Sequence, residues 1–229
     1  VSVSRKEQVY ADLRQRVLTL DLAPGLALDE VALSEHYGLS RTPLRELFHR
    51  LAGAGYLSTE SNRGASVSSM DLDTMRSFFQ SAPMIYAAIA RLAAEHASAA
   101  QITELKKIQT RFRKAVDRDR AADMAMHNHR FHEFIGEMAA SPYLAPSLDR
   151  LLIDHTRMSH RFYRIKKAAS KKRVLEAALQ HDAMIDAFAQ QQPAQAVELT
   201  LAHWELSRTE MDKYVMPDPL PTDAAIPAV

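Results

Sequence analysis

The chain has 229 residues, a formal net charge of +1 and no cysteine. Lack of cysteine excludes disulfides, thiolate metal sites and a cysteine nucleophile, and it suits a reducing, cytoplasmic setting. No apolar run approaches the ~20 residues of a membrane span, and six glycines with abundant Ala, Leu and Met point to a mainly helical chain of one or two domains.

In chain order, residues 1–4 read as a loose arm. Residues 5–20 read as an amphipathic helix with Val9, Leu13, Val17 and Leu20 inward, a polar pattern unlike a secretory leader. Asp21–Ala27, around Pro24 and Gly25, is a turn. Asp29 suits the N-cap of a short helix ending near Tyr37, with Ala32 and Leu33 inward. Gly38 can take φ > 0 and turn the chain, and Leu39 should plug the corner. Ser40 then caps a second helix, where Pro43 is tolerated in the first turn. Leu44, Leu47, Phe48 and Leu51 recur at helical spacing, and Gly53 and Gly55 close the helix. Tyr56–Ser58 and Ala65–Val67 read as two short strands joined by a polar turn, Glu60–Gly64.

Helix, turn, helix and hairpin in this order define a winged helix-turn-helix. Ser40, Arg41, Thr42 and Arg45 fall on the exposed first turns of the second helix. There hydroxyls and a helix N-terminus suit phosphates, and arginine can read guanine edges. Arg63, beside Gly64 at the wing tip, could reach an adjacent groove. The bland alternative is a helical hairpin with an ordinary solvated face. Residues 1–70 hold eight Arg and Lys against eight Asp and Glu, so DNA affinity must come from local placement rather than bulk charge.

These residues carry a family resemblance. Pro24-Gly25, Leu33-Ser34, the run Ser40-Arg41-Thr42-Pro43-Leu44-Arg45-Glu46, Arg50-Leu51 and Arg63-Gly64-Ala65 resemble the GntR family of bacterial transcription regulators over about residues 5–68. The resemblance implies operator binding as a dimer, with contacts falling on Arg41, Thr42, Arg45 and the surroundings of Gly64. Some members also contact DNA through an arginine on the first helix of the motif; Val31 stands there in this chain.

A polar joint at Ser68–Asp71 marks the expected domain boundary. Beyond it six helices are expected, at about 71–98, 101–117, 119–140, 142–164, 168–190 and 193–213. Pro83 should kink or break the first; Pro142 and Pro193 lie near helix starts. Residues 214–229 should be disordered. Between Arg157 and Arg173 eight basic residues occur without an acid; such a run suits DNA or an acidic partner, but more often is a solvated helix end and loop.

Asn128 and His132 are four apart and so share one face of the third of these helices. His181 and His203 lie on the fifth and sixth. Imidazoles from different helices can converge in a bundle core and hold a metal, although each single histidine is more often structural. His127 and His129 should point to other, solvated faces, and Met124, Phe131, Phe134, Ile135 and Met138 read as core.

The pattern Asn128-x-x-Phe131-His132, His181, His203 resembles the FCD ligand-binding domain of the FadR subgroup of the GntR family, over about residues 72–212. That resemblance implies a divalent metal (zinc, nickel or manganese) on three histidines and an aspartate, completed by a carboxylate effector. The aspartate position is Asn128 here, a neutral and weaker donor. Three imidazoles can still hold zinc; otherwise the histidines would hydrogen-bond the effector directly. Members often carry an arginine and a glutamate where Ala82 and Tyr86 stand. Arg157, near the inward stripe Leu148, Leu151, His155 and Ser159, is then the candidate for an effector carboxylate, with Arg76, Arg150 and Arg161 as rivals.

No His-Glu-x-x-His, Gly-rich phosphate loop or nucleophile elbow occurs, so no catalytic residue is assigned. The resulting expectation is a mainly α protein. Residues 1–70 bind DNA, 71–213 bind effector and support a homodimer, and 214–229 form a tail. It would act as a metabolite-responsive regulator, most simply a repressor. A protein-interaction scaffold and a metal-dependent hydrolase are the alternatives.

Overall fold

The computed structural model describes residues 4–60, 64–164 and 168–215. The expected tail from 216 onward, the wing residue Arg63, and Lys166 and Lys167 of the basic run lie outside these. Helix α1 spans Arg5–Leu18, and Ser4 is its N-cap rather than part of a loose arm: its hydroxyl accepts from the Glu7 amide. Val9, Leu13 and Val17 are buried at four-residue spacing. The helix ends at Leu18 and Leu20 takes φ 63°, so Leu20 leaves the apolar face, and Leu18 and Leu22 fill the core instead.

Helix α2 (Glu30–Tyr37) starts at Asp29, whose carboxylate accepts from the amides of Val31 and Ala32 at 2.8 and 3.1 Å. Gly38 ends it with φ 60°, the left-handed conformation that glycine adopts without a Cβ penalty. Ala32 is exposed, contrary to expectation. Tyr37 fills the inward side of this short helix: it is buried, and its hydroxyl joins Arg16 and Asp12 of α1. Helix α3 (Arg41–Gly53) buries Leu44, Leu47, Phe48 and Leu51. Strands β1 (Leu57–Glu60) and β2 (Gly64–Val67) pair antiparallel, with Leu57 opposite Val67.

Six helices follow: α4 (Leu72–His96), α5 (Ala99–Asp117), α6 (Ala121–Ala139), α7 (Ala145–Tyr163), α8 (Ala168–Ala189) and α9 (Pro193–Val215). No strand occurs after β2 among the described residues. Helix α4 is capped by Asp71 and runs through Pro83 without a break. The ring removes one backbone donor, but buried Phe78, Ala82, Tyr86 and Ile89 anchor the helix on both sides of it. Helix α5 opens with a capping box of Ser98 and Gln101. Helix α4 packs on α6 and α9, α6 on α5 and α7, and α8 on α5 and α9. Among the described residues no helix is long and apolar enough to cross a membrane.

Three apolar clusters result among the described residues: one within α1–β2, a large one within α4–α9, and a smaller one where Phe112, Met124, Phe162 and Val174 of α5–α8 meet. The first reaches α7, whose Ile153 is buried in it. Arg157, expected to face an effector, sits at this joint instead. It is fully buried, donates to the Ser68 carbonyl (2.7 Å) and hydroxyl (3.2 Å), and pairs with Asp154. A buried guanidinium needs such partners, and here Ser68 and Asp154 supply them. It is therefore not part of a solvated basic run either, whereas Arg164, Lys171 and Lys172 are exposed. Arg150 donates to Asp154 at 2.7 Å and lies over Gly55, where an added Cβ would come within 2.4 Å of its Cδ. Arg76 pairs with Asp73 on the surface.

Candidate metal centre and nucleic-acid interface

The first turns of α3 bring Ser40, Arg41, Thr42 and Arg45 together at one exposed helix end. Ser40 stands at the N-cap, but its hydroxyl makes no capping bond and so stays available to an outside acceptor. Arg45 donates through Nε to Glu30 of α2 at 2.9 Å, a contact that orients the guanidinium and offsets its charge. Gly64 opens β2 with φ 74°.

In the helical bundle His132 (α6), His181 (α8) and His203 (α9) converge. One ring nitrogen from each lies within 4.8 Å of the others, and all three side chains are buried. Phe131 stacks on the His181 ring at 3.9 Å between centroids and fixes its plane. Burial, reinforced by the neighbouring imidazoles, holds His132 and His181 well below the ordinary histidine range. Burial lowers His203 to about 4. The rings are therefore neutral near pH 7, the form that ligates metals.

Their tautomers follow from the second ring nitrogen. The Gln109 amide nitrogen donates to the Ala178 carbonyl (2.8 Å) and to Asp182 (2.9 Å), which turns the amide oxygen toward His181 Nδ1 at 3.0 Å. His181 must donate there, leaving Nε2 as a lone pair. The Gln180 amide oxygen takes the same role for His203 Nδ1 at 3.0 Å. Two lone pairs, His181 Nε2 and His203 Nε2, thus face each other at 3.3 Å. Nitrogens bound ~2.0–2.1 Å from one tetrahedral zinc stand ~3.4 Å apart. His132 Nε2 and Asn128 Oδ1 are also buried and without a hydrogen-bond partner among the described residues. Unpaired buried polar atoms are costly, and a cation among the three converging ring nitrogens would satisfy them, so the histidine set fits a divalent metal. Gln109→Leu should leave the fold intact and weaken zinc binding by ~10–100-fold, as loss of an outer partner does elsewhere; competition with a chromogenic chelator measures it.

His155, placed in the effector stripe, is buried on α7 with its Nδ1 2.6 Å from the Tyr86 hydroxyl. Its ring lies 5.5 Å from that of His132, and burial lowers it to about 3. Ser159 is buried one turn further along α7.

His129 corrects the sequence reading, because it is buried rather than solvated. Thr156 donates its hydroxyl to the Leu152 carbonyl (2.6 Å), so it accepts from His129 Nδ1 (2.7 Å). His129 Nε2 is then the acceptor for Arg14 of α1 at 3.2 Å. Arg14 also donates to Glu133 (2.8 Å) and to the Tyr56 hydroxyl (2.6 Å) just before β1. Burial alone would raise the Glu133 carboxyl, but the guanidinium groups of Arg130 and Arg14 hold it below its ordinary value. A cleft of about 450 Å³ lies at this contact, bordered by Tyr10, Arg14, Tyr56, His129, Glu133 and Arg150. The sequence signal for it was the spacing of His129 and Glu133, four apart and one residue beyond Asn128 and His132.

A winged helix-turn-helix followed by an all-helical bundle is the domain arrangement of a class of bacterial transcription regulators. Residues 5–67 match the bacterial regulatory proteins of the gntR family and residues 83–206 match the FCD domain, so the chain belongs to the GntR family and carries an FCD domain. It is 30% identical over 135 residues to the HTH-type transcriptional repressor RspR of Escherichia coli K12. That match spans 58% of this chain and only 58% of the relative's length. An HTH-type transcriptional regulator of an unstable DNA locus in Streptomyces ambofaciens is 44% identical over 68 residues, 30% of this chain and 29% of that one. Among solved structures, Escherichia coli McbR/YncC superposes with a TM-score of 0.74 at 20% identity, covering 92% of this chain and 96% of that one, which shows a shared fold.

Proposed function

We propose that this chain is a metabolite-responsive transcription regulator that binds operator DNA as a homodimer and senses a small organic acid at a metal held by His132, His181, His203 and Asn128. The observation that carries the reading is the coexistence of an exposed helix end bearing Ser40, Arg41, Thr42 and Arg45 with three buried, converging histidines in one chain. A bound divalent ion would supply a Lewis-acidic centre with room for an anionic oxygen. The chain's own residues do the rest. Gln109 and Gln180 present the imidazole lone pairs, and Phe131 holds the His181 ring.

Helix α6 links the two sites. Asn128 and His132 face the cluster, while His129 and Glu133 meet Arg14 of the DNA-reading unit. A change in the inward pair therefore bears on the outward pair through one rigid helix. In a dimer, two recognition helices call for a two-fold symmetric operator. Repression released by effector is the mode expected from relatives.

A gel shift at fixed salt, with a library of two-fold symmetric duplexes, tests this. Zinc-loaded and zinc-stripped protein should differ in affinity by ~5–150-fold, the usual span of allosteric coupling. Glu133→Gln should keep its metal and lose most of that difference. Failure to bind any duplex at low salt would favour an interaction scaffold, a reading supported by the balanced charge of residues 1–70.

A further inference from the structure

Trp204 is the only tryptophan in the chain. It follows His203 on α9 and so turns about 100° from it. Its ring packs against Phe78 (5.4 Å), Tyr86 (5.8 Å), Phe79 (6.1 Å) and His155 (6.2 Å). Tyr86 and His155 in turn border His132, at 5.6 and 5.5 Å. The indole therefore belongs to the α4-side wall of the histidine cluster. It is 3% exposed, and its Nε1 is buried without a partner among the described residues.

An indole N–H can only donate, and leaving a buried donor unsatisfied is costly. Asn128 Oδ1, an acceptor, and His132 Nε2 are likewise buried without a partner among the described residues. A cation answers those two and cannot answer the indole, which needs an oxygen acceptor. Charge points the same way. The ligand set is three imidazoles and an amide, and none of these groups carries a negative charge. A divalent ion there keeps its charge uncompensated by the ligands, which favours an anion beside it.

We propose that the Trp204 indole N–H is the anchor for a small carboxylate seated beside the three histidines, against the Tyr86 wall. This rests on reading the cluster as a ligand site, but not on the metal being present. It gives the effector's carboxylate a donor that no arginine supplies, since Arg157 is engaged at the domain joint.

Because there is a single indole, one ¹⁵N–¹H indole cross-peak reports on the site without mutation. Acetate, glycolate and benzoate, which bind zinc weakly in solution, serve as probes for zinc-loaded and zinc-stripped protein. At least one should move the peak saturably and quench the emission. In calorimetry Trp204→Phe, which keeps the ring and the apolar wall, should bind the same probe about 10- to 100-fold more weakly, the range for losing a hydrogen bond to a charged group. Its zinc content and melting temperature should match the wild type. Binding with an unmoved indole peak, equal affinity in Trp204→Phe, or no saturable binding of any probe up to tens of millimolar each overturns the proposal. A peak that shifts in protein found to hold no metal would keep the anchor and remove the metal reading.

Discussion

Wild-type protein purified without chelator is expected to carry close to one divalent ion per chain, and the His132→Ala/His181→Ala variant none, by elemental analysis. The variant removes two of the three imidazoles on the cluster and leaves only His203 with the neutral Asn128 amide. Losing an outer partner alone costs ~10–100-fold in affinity; losing two ligands removes the chelate itself. The ion also binds only the folded state, so it should stabilise the wild type by ~2.7 kcal/mol at a concentration 100 times Kd. Chelator should therefore lower the wild-type melting temperature and leave the variant's unchanged. His181→Ala also opens a cavity beside Phe131, so the informative number is the chelator-dependent shift rather than the absolute melting temperature. A wild type without metal would mean that Asn128 marks a site that no longer holds an ion, and the pocket would then be one of neutral imidazoles.

Arg41→Ala and Arg45→Ala should each weaken operator binding by ~1–3 kcal/mol if they read base edges, with the loss depending on operator sequence. Loss uniform over all duplexes, with the salt slope reduced by ~1, would make them phosphate contacts. The two should differ. Arg45 is tethered to Glu30, so Glu30→Gln should raise affinity modestly by freeing its charge. Arg41 lies outside that contact, and its loss should depend less on α2. Binding competition at two salt concentrations, on matched and scrambled operators, measures all three variants.

The winged helix was legible because its breakers are local. Asp29, Gly38 and Gly55 each act within a few residues, and the stripe Leu44, Leu47, Phe48 and Leu51 needs only helical periodicity. The convergence of His132, His181 and His203 was legible through the family resemblance, since spacing alone places a residue on a face and does not say what it meets. His129 shows the limit. Its place one residue past Asn128 does turn it away from the cluster, but there it meets Thr156 of α7 and Arg14 of α1 rather than water. Arg157 failed for the same reason: its partners Ser68 and Asp154 belong to the joint between the units, and no local pattern encodes that joint. Gln109 carried no signal at all, because its role depends on three acceptors and donors brought together from α8.

The joint itself has a mechanical consequence. At Ser68 the chain is clamped by the fully buried Arg157, where water and salt scarcely screen the contact. The Arg14–Glu133 contact lies off that point and is part-exposed, with side chains 35% and 24% accessible. Ile153 in the first core and Arg150 over Gly55 reinforce the clamped side. A tilt of the DNA-binding unit would therefore turn about Ser68 and open at Arg14–Glu133. In the proposed dimer, a small tilt at each fulcrum changes the distance between two recognition helices that must meet half-sites ~34 Å apart.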